Sequence, residues 1–270
     1  MPVGTITSQR NNRVKYVRAL QSRRRKRERE RRLVFEGVRL VEELVRAGVP
    51  PTFVFYTEAA EGSGHERSAR LLASLCEMNV PCYAVSEPVM VACSATEEPQ
   101  GILAVLPIPD LSHPEHPTFT LILDRVRDPG NLGTTLRTAL AAGVEQVLLT
   151  PGTVDAANPK AVRAAMGAHL HLPVAALRWD AIVAAIAGSD IWLAAADGET
   201  SYTEADWTRP VAIVVGGEAS GAGERAQALA QGQVSIPMAE GVESLNTAIA
   251  AAVILFEVAR QRALKSHNAA

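Results

Sequence analysis

Three short stretches carry residue types that can do chemistry at the spacing they show. In residues 123–139, LDRVRDPGNLGTTLRTA, a strand-like run ends in charge, Pro129 and Gly130 supply a turn, and Asn131 opens a helix. The free N–H groups of a helix start can face an anion or a polar ligand. Arg137 follows four residues after Gly133, whose missing side chain leaves room beside it. The plain alternative is a surface arginine beyond a cap. In residues 212–224, AIVVGGEASGAGE, a strand runs into a glycine-rich turn whose frame is Gly216, Gly217, Glu218, Ala219, Ser220, Gly221. This is not the GxGxxG fingerprint, and Glu218 stands where backbone would have to approach a pyrophosphate. Such a loop suits a cationic or neutral cofactor; otherwise it is a glycine turn capping a short helix. In residues 235–246, SIPMAEGVESLN, the triplet Ser244, Leu245, Asn246 precedes an apolar run, TAIAAAVILFEVAR. Free of Gly and Pro and rich in Ala, that run predicts a helix over 247–260, enclosed by protein and with its start inside the molecule. Ser244 is the expected N-cap, and Asn246 can offer a donor and an acceptor at the helix mouth. A capped core helix is the plain alternative here.

The elements that must position these stretches follow from punctuation. PIPDLSHPEHP holds four prolines within residues 107–117 and reads as a stiff connector between domains 1–106 and 118–270. The first domain alternates LVFEG, a helical GVRLVEELVRAG, TFVFYTE, a helical ERSARLLASLCEMN, PCYAVS and ILAVLP, a small α/β domain. The second runs FTLILD, the helix from Asn131, QVLLT, a helix beginning near Pro159, IWLAAA, VAIVVGG, a short helix after Gly223, VSIPM and the last helix. Strand and helix in alternation, with short apolar strands, imply α/β architecture around a parallel sheet covered on both faces. Ligands in such sheets bind beyond the strand ends, where the three stretches lie.

Charge is divided unevenly. Residues 1–50 hold 14 Lys and Arg against 5 Asp and Glu, and the remainder 13 against 24. Arg13, Lys15, Arg23, Arg24, Arg25 and Arg27 lie in this basic segment and suit a phosphate backbone. The alternative is a solvated helix laced with Glu28 and Glu30, or a flexible arm. Cys76, Cys82 and Cys93 are odd in number and lack CxxC spacing, which excludes a disulfide framework or zinc cluster and fits a reducing cytoplasm. No signal peptide is expected in MPVGTITSQRNN, and no apolar run approaches the roughly 20 residues of a membrane helix. No metal is expected: His113 and His116 sit in the connector, and His169 and His171 alternate along an expected strand. No GK[ST] or GxSxG occurs. Asp197 and Glu199 flank Gly198 in a loop that could line a cleft, although a solvated turn is the plainer reading.

In order and spacing, N-L-G-T-T-L-R from Asn131, G-G-E-A-S-G from Gly216 and I-P-M-A-E-G-V-E-S-L-N from Ile236 resemble the three motifs of the SpoU (TrmH) branch of the SPOUT RNA methyltransferases. ITSQRNNRVKYVRAL followed by LVFEGVRLVEELV resembles the small ribosomal-protein-like RNA-binding domain that many such enzymes carry in front. The resemblance implies S-adenosyl-L-methionine as cofactor, a ribose 2'-hydroxyl as acceptor, a homodimer through the catalytic domain and a C-terminal trefoil knot, an exception to unknotted topology. A separate front domain suits a large structured target, so ribosomal RNA is the expected substrate, with transfer RNA as the alternative; a base methyltransferase of the superfamily and a non-catalytic RNA-binding protein are the rival functions. By motif position Gly216, Gly217, Ile236, Met238 and Leu245 hold the cofactor, and Asn131, Arg137, Glu218, Ser244 and Asn246 form the polar site. Gly217, Ala219 and Ala222 depart from the residues common at their positions and bear on cofactor affinity.

Overall fold

The computed structural model describes residues 4–61, 66–218 and 221–268; Ala219 and Ser220 of the glycine loop, and the first three residues of the chain, lie outside the described residues. In chain order the elements are α1 (Asn12–Ser22), α2 (Arg24–Glu30), β1 (Arg32–Glu36), α3 (Val38–Arg46), β2 (Phe53–Tyr56), α4 (Glu58–Glu61), α5 (Glu66–Glu77), β3 (Cys82–Ala84), α6 (Glu87–Cys93) and β4 (Ile102–Pro107). They continue with β5 (Phe119–Asp124), α7 (Pro129–Ala141), β6 (Gln146–Leu149), α8 (Pro159–Ala165), β7 (Val174–Ala176), α9 (Trp179–Ala185), β8 (Asp190–Ala194), β9 (Thr200–Ser201), β10 (Val211–Gly216), α10 (Glu224–Leu229), β11 (Gly232–Ser235) and α11 (Thr247–Asn268). Two compact units result, one of residues 1–109 with 157–170 and one of residues 110–156 with 171–270.

The first unit is a four-stranded sheet in the order β1-β4-β2-β3, antiparallel except for the β2 and β3 pair. α1 follows its sequence: Asn11 accepts from the Arg13 N–H at 2.9 Å, and Val14, Val17 and Leu20 bury one stripe. Arg13, Lys15, Arg23, Arg24 and Arg25 are exposed, and the Arg13 guanidinium stacks on the Tyr83 ring at 4.3 Å. Arg27 corrects the expectation. Its side chain is only 4% exposed, and Nη1 donates to the carbonyl oxygens of Leu20 (2.8 Å) and Gln21 (3.3 Å), so it ties α2 to α1 and cannot reach a phosphate. His169 is another correction: it lies buried in a 3-10 turn, Ala168–Leu170, and not on a strand. The three cysteines are free, and no group of three or more metal-ligating side chains occurs among the described residues.

The second unit is a seven-stranded, wholly parallel sheet in the order β7-β6-β5-β10-β8-β11-β9. All six residues of β5 are buried, as its near-continuous apolar run requires of a central parallel strand. α7 starts where Asp128 accepts from the Asn131 N–H at 2.8 Å and Pro129 occupies the first turn, a position that needs no N–H. Gly232 in β11 lies under the Trp192 ring, where a Cβ would come within 2.5 Å of it.

Three expectations for the last helix change: its end, its cap and its enclosure. α11 runs on to Asn268, and its cap is Asn246, not Ser244: Asn246 Oδ1 accepts from the N–H groups of Ala248 (2.9 Å) and Ile249 (3.3 Å). Residues 240–246 are exposed, but the first residues of the helix, Thr247 and Ala248, are buried, so the helix does not begin in the open. Nor is it enclosed by its own chain, since Ile249, Phe256 and Leu264 form a stripe that is 50 to 53% exposed. Its far half is clamped by Arg262, whose guanidinium donates to the carbonyl oxygens of Trp207 (3.0 Å), Thr118 (2.7 Å) and Arg209 (2.9 Å) and stacks over Phe119. Arg262→Ala leaves these acceptors without their charged donor. The expected cost is about 2–3 kcal/mol in denaturant unfolding; a loss under about 0.5 kcal/mol would show that the clamp is idle. No helix among the described residues is long and apolar enough to cross a membrane.

Candidate active site

Chain direction places the site. Every strand of the parallel sheet points the same way, so the loops after β5, β8 and β10 gather at one end. The loop after β5 is drawn in by Asp124, which is 2% exposed: its Oδ1 accepts from Thr150 Oγ1 at 2.6 Å and its Oδ2 from the Gly223 N–H at 2.6 Å. That second bond closes the glycine loop after β10 against β5. Arg125 then turns the chain with φ 59, its N–H donating to Thr153 Oγ1 at 3.0 Å. Close approach explains the two glycines that end β10. A Cβ on Gly216 would fall within 3.0 Å of the backbone of Gly221 and Ala222, and one on Gly217 would strike the Arg125 carbonyl.

A chain of hydrogen bonds joins the three stretches. Asn131 Nδ2 donates to Glu218 Oε1 at 2.8 Å, and Asn246 Nδ2 donates to Asn131 Oδ1 at 3.0 Å. Because Asn246 also caps α11, the start of that helix, the start of α7 and the loop after β10 are held in one register. Partial burial pushes the Glu218 carboxyl up. The hydrogen bonds from Asn131 and from backbone N–H groups, those of Arg127 and Asp128 among them, outweigh it and hold the carboxyl below its usual range. Glu218 is therefore an anion that orients, not a reservoir of protons at neutral pH.

Beside this chain lies a cleft of about 530 Å³, within the roughly 300–1,000 Å³ typical of small-molecule sites. Gly216, Gly217, Ile236, Met238 and Leu245 all line it, as do Glu218 and Ser244. Its apolar wall comes from Leu193, Val215, Val234 and Ile254. A flat apolar group fits against that wall and the glycine backbone, and a cationic group fits beside the carboxylates. Three expected residues stand apart, Asn131 among them, which joins the hydrogen-bonded chain without lining the cleft. Asn246 belongs to the hydrogen-bonded chain without lining the cleft. Arg137 is exposed on α7 and makes no hydrogen bond or ion pair with the described residues. Asp197, expected in a solvated turn, in fact lines the cleft, and so do Gln227 and Gln233. The signal for Asp197 was its place three residues beyond an apolar strand, but nothing in the sequence says which strand lies beside β8.

A parallel α/β sheet with a glycine-cradled, carboxylate-edged cleft beyond its strand ends defines a cofactor-binding enzyme of the α/β class. Residues 118–256 match the SpoU rRNA Methylase family, and residues 11–104 the MRM3-like substrate binding domain. An uncharacterized tRNA/rRNA methyltransferase of Synechocystis is 35% identical over 96% of this chain and 95% of its own length. The 23S rRNA (guanosine(2553)-2'-O)-methyltransferase RlmP of Bacillus subtilis is 33% identical over 94% of this chain and 98% of its own. Among solved structures, the SpoU methyltransferase AviRb of Streptomyces viridochromogenes in complex with AdoMet superposes with a TM-score of 0.82 at 28% identity, covering 94% of this chain and 99% of that one. The chain belongs to the SpoU rRNA methylase family.

Proposed function

We propose that the protein transfers a methyl group from S-adenosyl-L-methionine to a ribose 2'-hydroxyl of ribosomal RNA. The observation that carries this is the hydrogen-bonded chain from Glu218 through Asn131 to Asn246 beside a glycine-cradled cleft. The relatives support it, because RlmP is named for 2'-O-methylation of 23S rRNA and the AviRb structure contains AdoMet. When bound, the cofactor would supply an electrophilic methyl on a sulfonium for in-line attack by the ribose oxygen, with the neutral thioether leaving on the C–S electron pair and the hydroxyl proton passing to water. Gly216, Gly217, Ile236, Met238 and Leu245 would hold the cofactor, largely through backbone. Ser244 and Asn246 would position the hydroxyl. A guanidinium is a poor proton acceptor, so Arg137 would orient the ribose and stabilise the charge developing on its oxygen.

Residues 1–106 would grip the RNA, with Arg13, Lys15, Arg23, Arg24 and Arg25 on phosphates, and 107–117 would link them to a catalytic domain of residues 118–270. A trefoil knot formed by the segment between β11 and α11 belongs to the same reading, supported by residues of that segment lining the cleft together with the glycine loop. So does a cytoplasmic location, supported by three free cysteines. A homodimer through the catalytic domain belongs to this reading too, with the exposed apolar stripe of α11 as its interface, a surface that water disfavours. Phe256→Asp is therefore expected to convert a dimer into a monomer of 28.8 kDa by light scattering; an unchanged dimer would move the interface elsewhere.

The function is tested by comparing total RNA from cells with and without the gene. A gene-dependent nucleotide in ribosomal RNA whose 3' linkage resists alkaline cleavage is expected. A missing base methylation, or a change confined to transfer RNA, would replace this reading.

A further inference from the structure

We propose that Asp197 is a specificity-determining residue of the cleft, whose carboxylate acts with that of Glu218 to make the site prefer the sulfonium cofactor over the uncharged thioether it becomes. The inference rests on the cleft being the cofactor site. β8 and β10 are parallel neighbours in which Ala194 pairs with Val215. Asp197 and Glu218 each follow their paired residue by three positions, so the two carboxylates leave the sheet side by side at the same end. Both line the cleft.

Asp197 is set there by backbone. The Ala195 N–H donates to the Val234 carbonyl at 3.0 Å, and the Gly198 N–H to the Ala195 carbonyl at 3.4 Å, folding the turn onto β11. Only glycine permits that closeness, since a Cβ on Gly198 would lie 2.7 Å from the Val234 carbonyl carbon. While Glu218 is engaged by Asn131, Asp197 makes no hydrogen bond or ion pair with the described residues, leaving its charge for a ligand.

The charge balance of the cleft sets the preference. Among its described lining residues Asp197 and Glu218 are the ionisable ones, and no Lys, Arg or His joins them. The sulfonium cofactor carries one positive charge more than S-adenosyl-L-homocysteine, from which it otherwise differs by a methyl group. Two carboxylates lining the cleft that would take that charge, beside an apolar wall, favour the first ligand and help to expel the second after transfer.

Isothermal titration of the full-length protein with S-adenosyl-L-methionine and with S-adenosyl-L-homocysteine, at low and at high salt, tests this. Asp197→Asn is expected to weaken the sulfonium ligand by about five- to tenfold and to leave the thioether within about twofold. The wild-type preference should shrink as salt rises, and that of the variant should respond less. Glu199→Gln, on the same loop but not lining the cleft, should change neither affinity by more than about twofold. Retained thioether binding shows that the variant is folded. Equal weakening of both ligands would assign Asp197 to the adenosine or amino-acid part they share and overturn the inference, as would no change in either. If the wild type bound neither ligand, the cofactor reading itself would fall.

Discussion

Arg137→Ala is expected to abolish methyl transfer while leaving cofactor affinity within about twofold of wild type. The side chain does not line the cleft, so the cofactor loses no contact when it is removed. It projects from α7, whose start is held by the Asp128 cap and by the bond from Asn131 to Glu218, and no partner among the described residues competes for its guanidinium. A fixed cation facing an oxygen that becomes negative in the transition state is worth roughly 10²–10³ in rate. Since Arg137 would also hold the adjacent phosphate by a two-pronged contact, the loss should reach the upper end of that range. Alanine is a good helix former at an exposed position, so α7 should persist. Arg137→Lys restores the charge but not the planar fork, and a small fraction of activity should return. Single-turnover methylation beside titration with cofactor separates the two effects; turnover retained in the alanine variant would sink the assignment.

Gly216→Ala is expected to cost at least about a hundredfold in cofactor affinity and about 3 kcal/mol in stability. The atoms its Cβ would meet are the backbone of Gly221 and Ala222, which cannot swing aside as a side chain would. Relief requires opening the loop, and the loop is closed by the Gly223 N–H on buried Asp124 and by the Gly221 N–H on the Gly217 carbonyl at 3.1 Å. Gly221→Ala is the informative contrast. Its φ of +58 costs an L-residue roughly 1–2 kcal/mol, but open space surrounds the added methyl, so the cradle should keep its shape. Calorimetric titration and denaturant unfolding of both variants decide the matter: cofactor affinity retained in Gly216→Ala would refute the steric account of the cradle.

Local chemistry carried much of this into the sequence. FTLILD and VAIVVG are apolar throughout because both faces of their strands are covered, and they become β5 and β10. A charged strand end followed by Pro129 announces α7, because proline at a helix start forgoes only an N–H that would be unpaired there. Where two local solutions were equal, sequence could not choose. Ser244 and Asn246 are both good caps, and the bond from Asn246 to Asn131, residues 115 apart in the chain, settles the choice.

What the sequence determined alone, then, is the identity of the elements and the three loops that carry chemistry, since propensity, capping and turn formation act over a few residues. Tertiary structure decided which side of each element faces what. A run of arginines does not say that Arg27 turns inward to the carbonyls ending α1, and an Ala-rich apolar helix looks the same whether its own chain covers it or leaves a stripe bare. Asp197 depends on strand order above all. It became part of the cleft because β8 pairs with β10, a contact fixed by the packing of the whole sheet and by no residue near Asp197 itself.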